Sequence, residues 1–132
     1  MSDFTKHLLL DTDVMIDLIR QRPPALNWLR SLPDFPVVSC FTALELLGGS
    51  KDKHEYRVSE RLLMNFPILY PMREDLERGI TDYTPFCLSH GVGFLDILIA
   101  SVAVGHDFTL ATFNAKHFGN LPNLRTVQPY TR

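Results

Sequence analysis

Three leucines, Leu8 to Leu10, run straight into Asp11, and apolar residues at helical spacing (Val14, Met15, Leu18, Ile19) begin almost at once. A short apolar run ending in a carboxylate reads as a strand buried on both faces of a sheet. Such a strand delivers Asp11 to the rim of the sheet, where a helix takes over. Asp13 reads as the N-cap of that helix, its side chain accepting from backbone N–H groups. Asp17 falls on the far side of the same helix and reads as solvated, like Asp107 in a later turn.

The rest of the chain repeats this alternation. Basic residues near Arg20 to Arg22 and then Pro23-Pro24 end the first helix, and a second helix with Leu26, Trp28 and Leu29 inward stops before Pro33. Residues 35–40 form a second strand. Ser39 or Thr42 then caps a short helix closed by Gly48-Gly49. A helix over about 52–66 carries Lys53, Arg57 and Arg61 four apart, on one face. Residues 67–71, bounded by prolines, suggest a third strand. A helix over about 73–89 turns Leu76, Ile80, Tyr83 and Cys87 inward and is kinked or split by Pro85. Residues 94–104 are the most apolar helix, stopped by Gly105. Residues 108–113 form the next strand, and 124–127 a last strand at an edge. Alternating strands and helices predict one α/β domain over residues 1–132, with a mostly parallel sheet of about four to five strands.

Composition bounds the function. The 132 residues suit one hydrophobic core, with 45% apolar and 21% charged residues. No apolar run is long enough for a membrane span and no leader pattern opens the chain, so a cytoplasmic protein without membrane contact is expected. Cys40 and Cys87 lack metal-ligand spacing and read as buried free thiols. A net charge of −2 gives no global basic field, but the basic residues gather between Arg20 and Arg61, while 74–107 is mostly acidic.

Three carboxylates stand where carboxylates are costly or exposed to a strand end. Asp11 is either a turn residue or a ligand at the sheet rim. Glu45 closes a capping-box pattern begun by Thr42, yet sits among Leu44, Leu46 and Leu47, where burial would demand a partner or a cation. Asp96 interrupts Phe94, Leu95, Ile97, Leu98 and Ile99; it is either a first-turn acid favoured by the helix dipole or a metal ligand. Asn114 ends a strand, as a cap or as a metal ligand, and His117 follows as a turn residue or a phosphate contact. In open α/β sheets ligands gather outside the C-terminal strand ends. Hard oxygen donors without clustered His or Cys select Mg²⁺ or Mn²⁺. Without a glycine-rich phosphate loop, such a pocket suggests phosphodiester hydrolysis by a metal-activated water.

LLLDTDVMIDL, VSCFTALELLGG, FLDILIASVAV and LATFNAKHF, in this order and spacing, resemble the PIN domain, and most closely its VapC-type toxin ribonucleases from bacterial toxin–antitoxin pairs. The resemblance covers nearly the whole chain. It implies an α/β/α sandwich, Mg²⁺- or Mn²⁺-dependent endoribonuclease activity, an RNA substrate, a homodimer and a cognate antitoxin. By position it assigns catalysis to Asp11, Glu45, Asp96 and Asn114, with Asp11, Asp96 and Glu45 holding metal, Glu45 directly or through water. Asn114 stands where the family often has Asp, and Asp13 where it usually has Asn. Thr12, Asp13, Ser39, Thr112 and His117 support the pocket, and Lys53, Arg57 and Arg61 are candidate contacts for RNA or the antitoxin. The alternatives are a housekeeping RNA-processing nuclease and a catalytically silent binding protein of the same fold. A phospho-acceptor receiver domain fits poorly, because residues 37–40 carry no acceptor Asp.

Overall fold

The structure, a computed structural model, describes residues 7–132; the expectation of no leader falls partly on residues 1–6, outside the described residues. Five strands form one sheet: β1 (Leu8–Leu10), β2 (Val37–Ser39), β3 (Ile68–Leu69), β4 (Thr109–Ala111) and β5 (Thr126–Val127). Their order is β3-β2-β1-β4-β5 and every pairing is parallel. The chain builds outward from β1 to β3, then crosses to the other side of β1 to add β4 and β5. The gap above the C-terminal ends of β1 and β4 is therefore the topological switch point, where α/β sheets open a crevice. Asp11 and Thr112 are the first residues past those two strands.

Alternation along the strands divides the core in two. Leu9, Val37 and Leu110 face one cluster with Tyr83, Ile99, Val102 and Phe118. Leu10, Val38 and Ala111 face the other, with Val14, Met15, Leu18, Ala25 and Leu63. The second layer is made by α1 (Thr12–Ile19), α2 (Pro23–Ser31), α3 (Cys40–Gly48) and α4 (Lys53–Leu63). The first is made by α5 (Arg73–Arg78), a π-helical turn (Gly79–Tyr83), α6 (Pro85–His90) and α7 (Phe94–Gly105). Phe118 of the short α8 (Ala115–Phe118) closes it. The sheet is thus covered on both faces, as all-parallel sheets require.

The helix expected over 73–89 is split, but the break precedes Pro85. The Thr84 N–H bonds to the Gly79 carbonyl, which inserts a π turn and rotates the inward face. Of the four side chains expected inside, Tyr83 is fully buried and bonds through its hydroxyl to the Pro122 carbonyl, and Cys87 is half-buried. Leu76 and Ile80 are exposed. The inner face of α5 belongs instead to Asp75, which accepts from the Met72 N–H at 2.8 Å and from Arg78 at 3.1 Å. Arg78 also donates to the Ser101 carbonyl at 2.9 Å, and the Ser101 hydroxyl bonds to the Asp75 carbonyl. This polar knot ties α5 to α7. The two thiols are free and half-buried rather than fully buried.

Gly105 is required by that knot. A Cβ on it would overlap the Asp75 carboxylate, and Asp75 is held by two donors and cannot swing aside cheaply. Gly105→Ala is expected to cost about 1–3 kcal/mol of stability, the range for overpacking a filled site. Urea unfolding measures it, and an unchanged midpoint would mean that Asp75 is not fixed.

Candidate active site

The pocket starts from β1. Asp11 has extended backbone and is itself the N-cap of α1, its Oδ1 accepting from the Thr12 N–H at 2.8 Å. Asp13, expected as the cap, is already inside the first turn of the helix, because the chain leaves β1 and enters α1 with only Asp11 between. The Asp13 carboxylate reaches across instead: Oδ2 accepts from the Phe113 N–H at 3.0 Å. The Thr112 hydroxyl donates to Asp11 Oδ2 at 2.7 Å and accepts from the Asn114 N–H at 3.0 Å. The ends of β1 and β4 are thereby locked together over the switch point, 101 residues apart in sequence.

Asp96 joins from α7. His117 Nε2 lies 2.8 Å from Asp96 Oδ2. An ionised carboxylate only accepts, so the imidazole donates, and α8 is pinned to the first turn of α7. Asp96 is less enclosed than its apolar neighbours suggest, with 31% of its side chain exposed. The first turn of α7 emerges from the core, leaving Phe94 exposed as well. Asn114 occupies the cap position of α8 but makes no side-chain capping bond, and the residue is exposed.

Glu45 approaches from another side. Ser39 caps α3, its Oγ accepting from the Thr42 N–H at 3.1 Å, so the Thr42–Glu45 capping box does not form. Thr42 is buried and its hydroxyl lies 3.1 Å from that of Thr12. Glu45 is exposed rather than packed among leucines: of Leu44, Leu46 and Leu47 only Leu46 is buried, and Leu44 is open to solvent. Glu45 lines a cavity of about 400 Å³ with Thr12, Ile16, Arg20 and His54. The hydroxyls of Thr12, Thr42 and Ser39 form a chain of polar groups from that cavity toward β1 and β2.

The electrostatics are those of crowded acids. Burial first, then the charge of Asp13 and, more weakly, that of Asp96, push the Asp11 pKa from an ordinary 3.8 to about 6, against the hydrogen bonds from Thr112 and Thr12. Burial also raises Asp13, outweighing its bonds to backbone N–H groups. Asp13 Oδ1 is buried with no hydrogen-bond partner. An orphaned carboxylate oxygen beside a second buried carboxylate suits a cation. Among the described residues no three His, Cys, Asp or Glu side chains close on a single point. Mg²⁺ does not need that: it keeps several waters and takes one or two carboxylates plus substrate phosphate oxygens. The oxygen donors present therefore fit a hard divalent ion.

Asp17, expected at the surface, is buried. Tyr130 donates to its Oδ2 at 2.7 Å and Arg132 at 3.0 Å, and Arg22 Nε lies 3.5 Å from Oδ1. The chain after β5 folds back over α1, a contact that local spacing cannot reveal. Burial works to raise the Asp17 pKa, but the bonds from Arg132 and Tyr130 and the charges of Arg132 and Arg22 lower it overall. Asp107 is exposed, as expected, and pairs with Arg125 at 2.9 Å. Lys53, Arg57 and Arg61 are exposed along α4 and form no ion pair among the described residues.

The Asp11 shift has a defined sign. The folded protein holds that proton more tightly than the unfolded chain, so its contribution is lost as pH rises from about 4 through 6. Asp11→Asn removes this loss. In chelator, the unfolding free energy of the variant relative to wild type should rise across that window by up to about 3 kcal/mol. A difference that stays flat with pH would place Asp11 in water.

Residues 8–123 match the PIN domain family. The chain is 35% identical over 122 residues to Ribonuclease VapC10 of Mycobacterium tuberculosis, an alignment covering 89% of this chain and 90% of that protein. Among solved structures it is similar to a chain of the VapBC2 complex of Rickettsia felis bound to a promoter DNA fragment, with a TM-score of 0.78 and 26% identity over 92% of this chain and 97% of that one. A toxin–antitoxin complex from Klebsiella pneumoniae gives a TM-score of 0.75 and 27% identity over 95% and 99%. DNA-bound VapBC from Salmonella typhimurium, at 20% identity with coverage of 92% and 97%, shares the fold with a TM-score of 0.81.

Proposed function

The chain belongs to the PIN-domain family, and we propose that it is a Mg²⁺- or Mn²⁺-dependent endoribonuclease, the toxin of a toxin–antitoxin pair. The observation that carries the reading is the buried Asp11 carboxylate at the switch point, held by Thr112 and crowded by Asp13 and Asp96. The relationship to Ribonuclease VapC10 and the likeness to VapBC complexes support the substrate class and the antitoxin partner.

Asp11 and Asp96 would hold the metal, with Glu45 reaching it directly or through water. When bound, the ion supplies a water of lowered pKa and neutralises phosphate charge. The protein's own part is orientation. Thr112 and the Thr12 N–H each occupy one Asp11 oxygen, fixing the carboxylate plane and leaving the remaining lone pairs for a ligand. His117 fixes the Asp96 rotamer through one oxygen. Asp13 anchors the Phe113 N–H and so the turn that presents Thr112 and Asn114. Ser39 fixes Thr42 at the start of α3, one turn before Glu45. Asn114 offers an exposed neutral amide where a fourth carboxylate would add charge.

The face of α4 that carries Lys53, Arg57 and Arg61 suits RNA phosphates or an acidic antitoxin segment. A homodimer acting in the cytoplasm completes the reading; no helix among the described residues is long and apolar enough to cross a membrane.

Asp96→Asn should keep the fold and lose RNA cleavage by at least roughly two orders of magnitude in Mg²⁺ or Mn²⁺. Wild-type activity should vanish in chelator and return with either metal. Full cleavage by a nuclease-free preparation of Asp96→Asn would remove Asp96 from the site. Induced expression should arrest growth, with rescue by a co-expressed antitoxin; active protein without arrest would favour a housekeeping role. Replacing Lys53, Arg57 and Arg61 together by Ala should flatten the dependence of RNA affinity on salt, by about 0.7 in log–log slope for each single-strand phosphate that is no longer neutralised.

A further inference from the structure

A second cavity, of about 350 Å³, opens at the far end of α1 between Asp17, Arg20, Arg22, Pro23, Tyr130 and Arg132. Its floor is the buried Asp17 carboxylate and its walls carry three guanidinium groups, so among the lining side chains positive charge exceeds negative by two. Asp17 engages two of them through Nε: Arg132 at 3.0 Å and Arg22 at 3.5 Å. Held in that way, a guanidinium keeps terminal N–H groups free to point away from its partner. The terminal nitrogens of Arg22 and the whole head of Arg20 have no partner among the described residues. Arg132 is fixed further, by a bond from Nη2 to the Asp13 carbonyl at 3.3 Å and by its position 4.1 Å over the Phe113 ring. A buried carboxylate thus orients Arg22 and Arg132 in advance, with the unpartnered Arg20 beside them, and such fork donors suit a phosphodiester.

The cleft is also joined to the acidic pocket. Arg132 contacts Asp13 and Phe113, and the Phe113 N–H is held by the Asp13 carboxylate. From Thr12 to Arg20 is about 12 Å at about 1.5 Å per helical residue. We infer that the Arg20, Arg22 and Arg132 cleft binds a backbone phosphate of the RNA strand flanking the scissile one. This rests on the ribonuclease reading above and adds a subsite to it. The acids at the sheet rim repel the substrate, and the cleft supplies cations one helix length away, two of them held by Asp17. An acidic peptide presents carboxylates to the same forks, but a nucleic acid strand carries a charge at every unit and must pass the rim to be cut, which favours RNA as the occupant.

The test uses full-length protein carrying Asp96→Asn, a fluorescein-labelled RNA about twelve nucleotides long and, in parallel, labelled poly-glutamate. Arg20→Ala with Arg22→Ala should weaken RNA binding about five- to twentyfold and lower the log–log salt slope by about 0.7 for each phosphate released from neutralisation. In the otherwise wild-type enzyme Arg22→Ala, outside the Glu45 cavity that Arg20 also lines, should raise KM and leave kcat within about twofold. Lys at both positions should restore most of the slope. Arg20→Glu changes a head group that has no partner among the described residues, so it keeps the test valid if the Arg22 variant unfolds, and it should weaken binding at least as much as Ala. Unchanged affinity and slope in these variants would overturn the proposal, as would an equal or larger loss for poly-glutamate. If Asp96→Asn binds no RNA and the wild type cuts none, the ribonuclease reading itself fails, a result separable from an intact RNA affinity that ignores Arg20 and Arg22.

Discussion

The hydrogen bond from Thr112 to Asp11 is the interaction on which the site depends. It joins the residues just past two adjacent parallel strands, where the sheet reverses its order of addition. Sequence neighbours put each residue at or near a strand end but cannot bring the two together. The β1–β4 register, Leu10 beside Ala111, brings the two ends level, and the hydroxyl then bridges them. Thr112 has one proton and gives it to Asp11, while its lone pair takes the Asn114 N–H. One side chain thus sets the carboxylate plane and shapes the turn leading to α8.

Around that bond the protein accepts an electrostatic cost. Asp11 is buried and Asp13 half-buried, Asp96 lies close enough to raise the Asp11 pKa, and one Asp13 oxygen is buried without a partner. A sequence selected for stability alone would neutralise or remove one of these groups. Retaining all of them is the usual mark of a site whose missing partner is a ligand. One turn further along α1 the opposite solution appears: the buried Asp17 is met by Tyr130, Arg132 and Arg22. Two aspartates four residues apart on one helix, Asp13 and Asp17, thus have opposite fates, because different parts of the chain cover them.

The same contrast separates what local sequence can specify from what it cannot. The β1 strand, the parallel α/β class and the α7 boundaries are legible because apolar runs and glycine stops are local signals. The capping roles are less so. Ser39 and Asp11 cap their helices where Thr42 and Asp13 offer equally good chemistry, and the choice is made by where each strand hands over to its helix. A regular helical period misplaces the inward face of α5, because the π turn that follows rotates it. Leucines surround Glu45 in sequence and suggest enclosure, yet α3 turns that edge to solvent.

By itself the sequence determined the layered α/β fold, the order of its elements and the acids available at strand ends. These follow from hydrophobic period and turn chemistry, which act over a few residues. Only the tertiary structure decided which acids meet, which are neutralised and which keep a buried oxygen without a partner. A carboxylate's state is set by burial and by the charges packed against it, and here those come from segments about a hundred residues away.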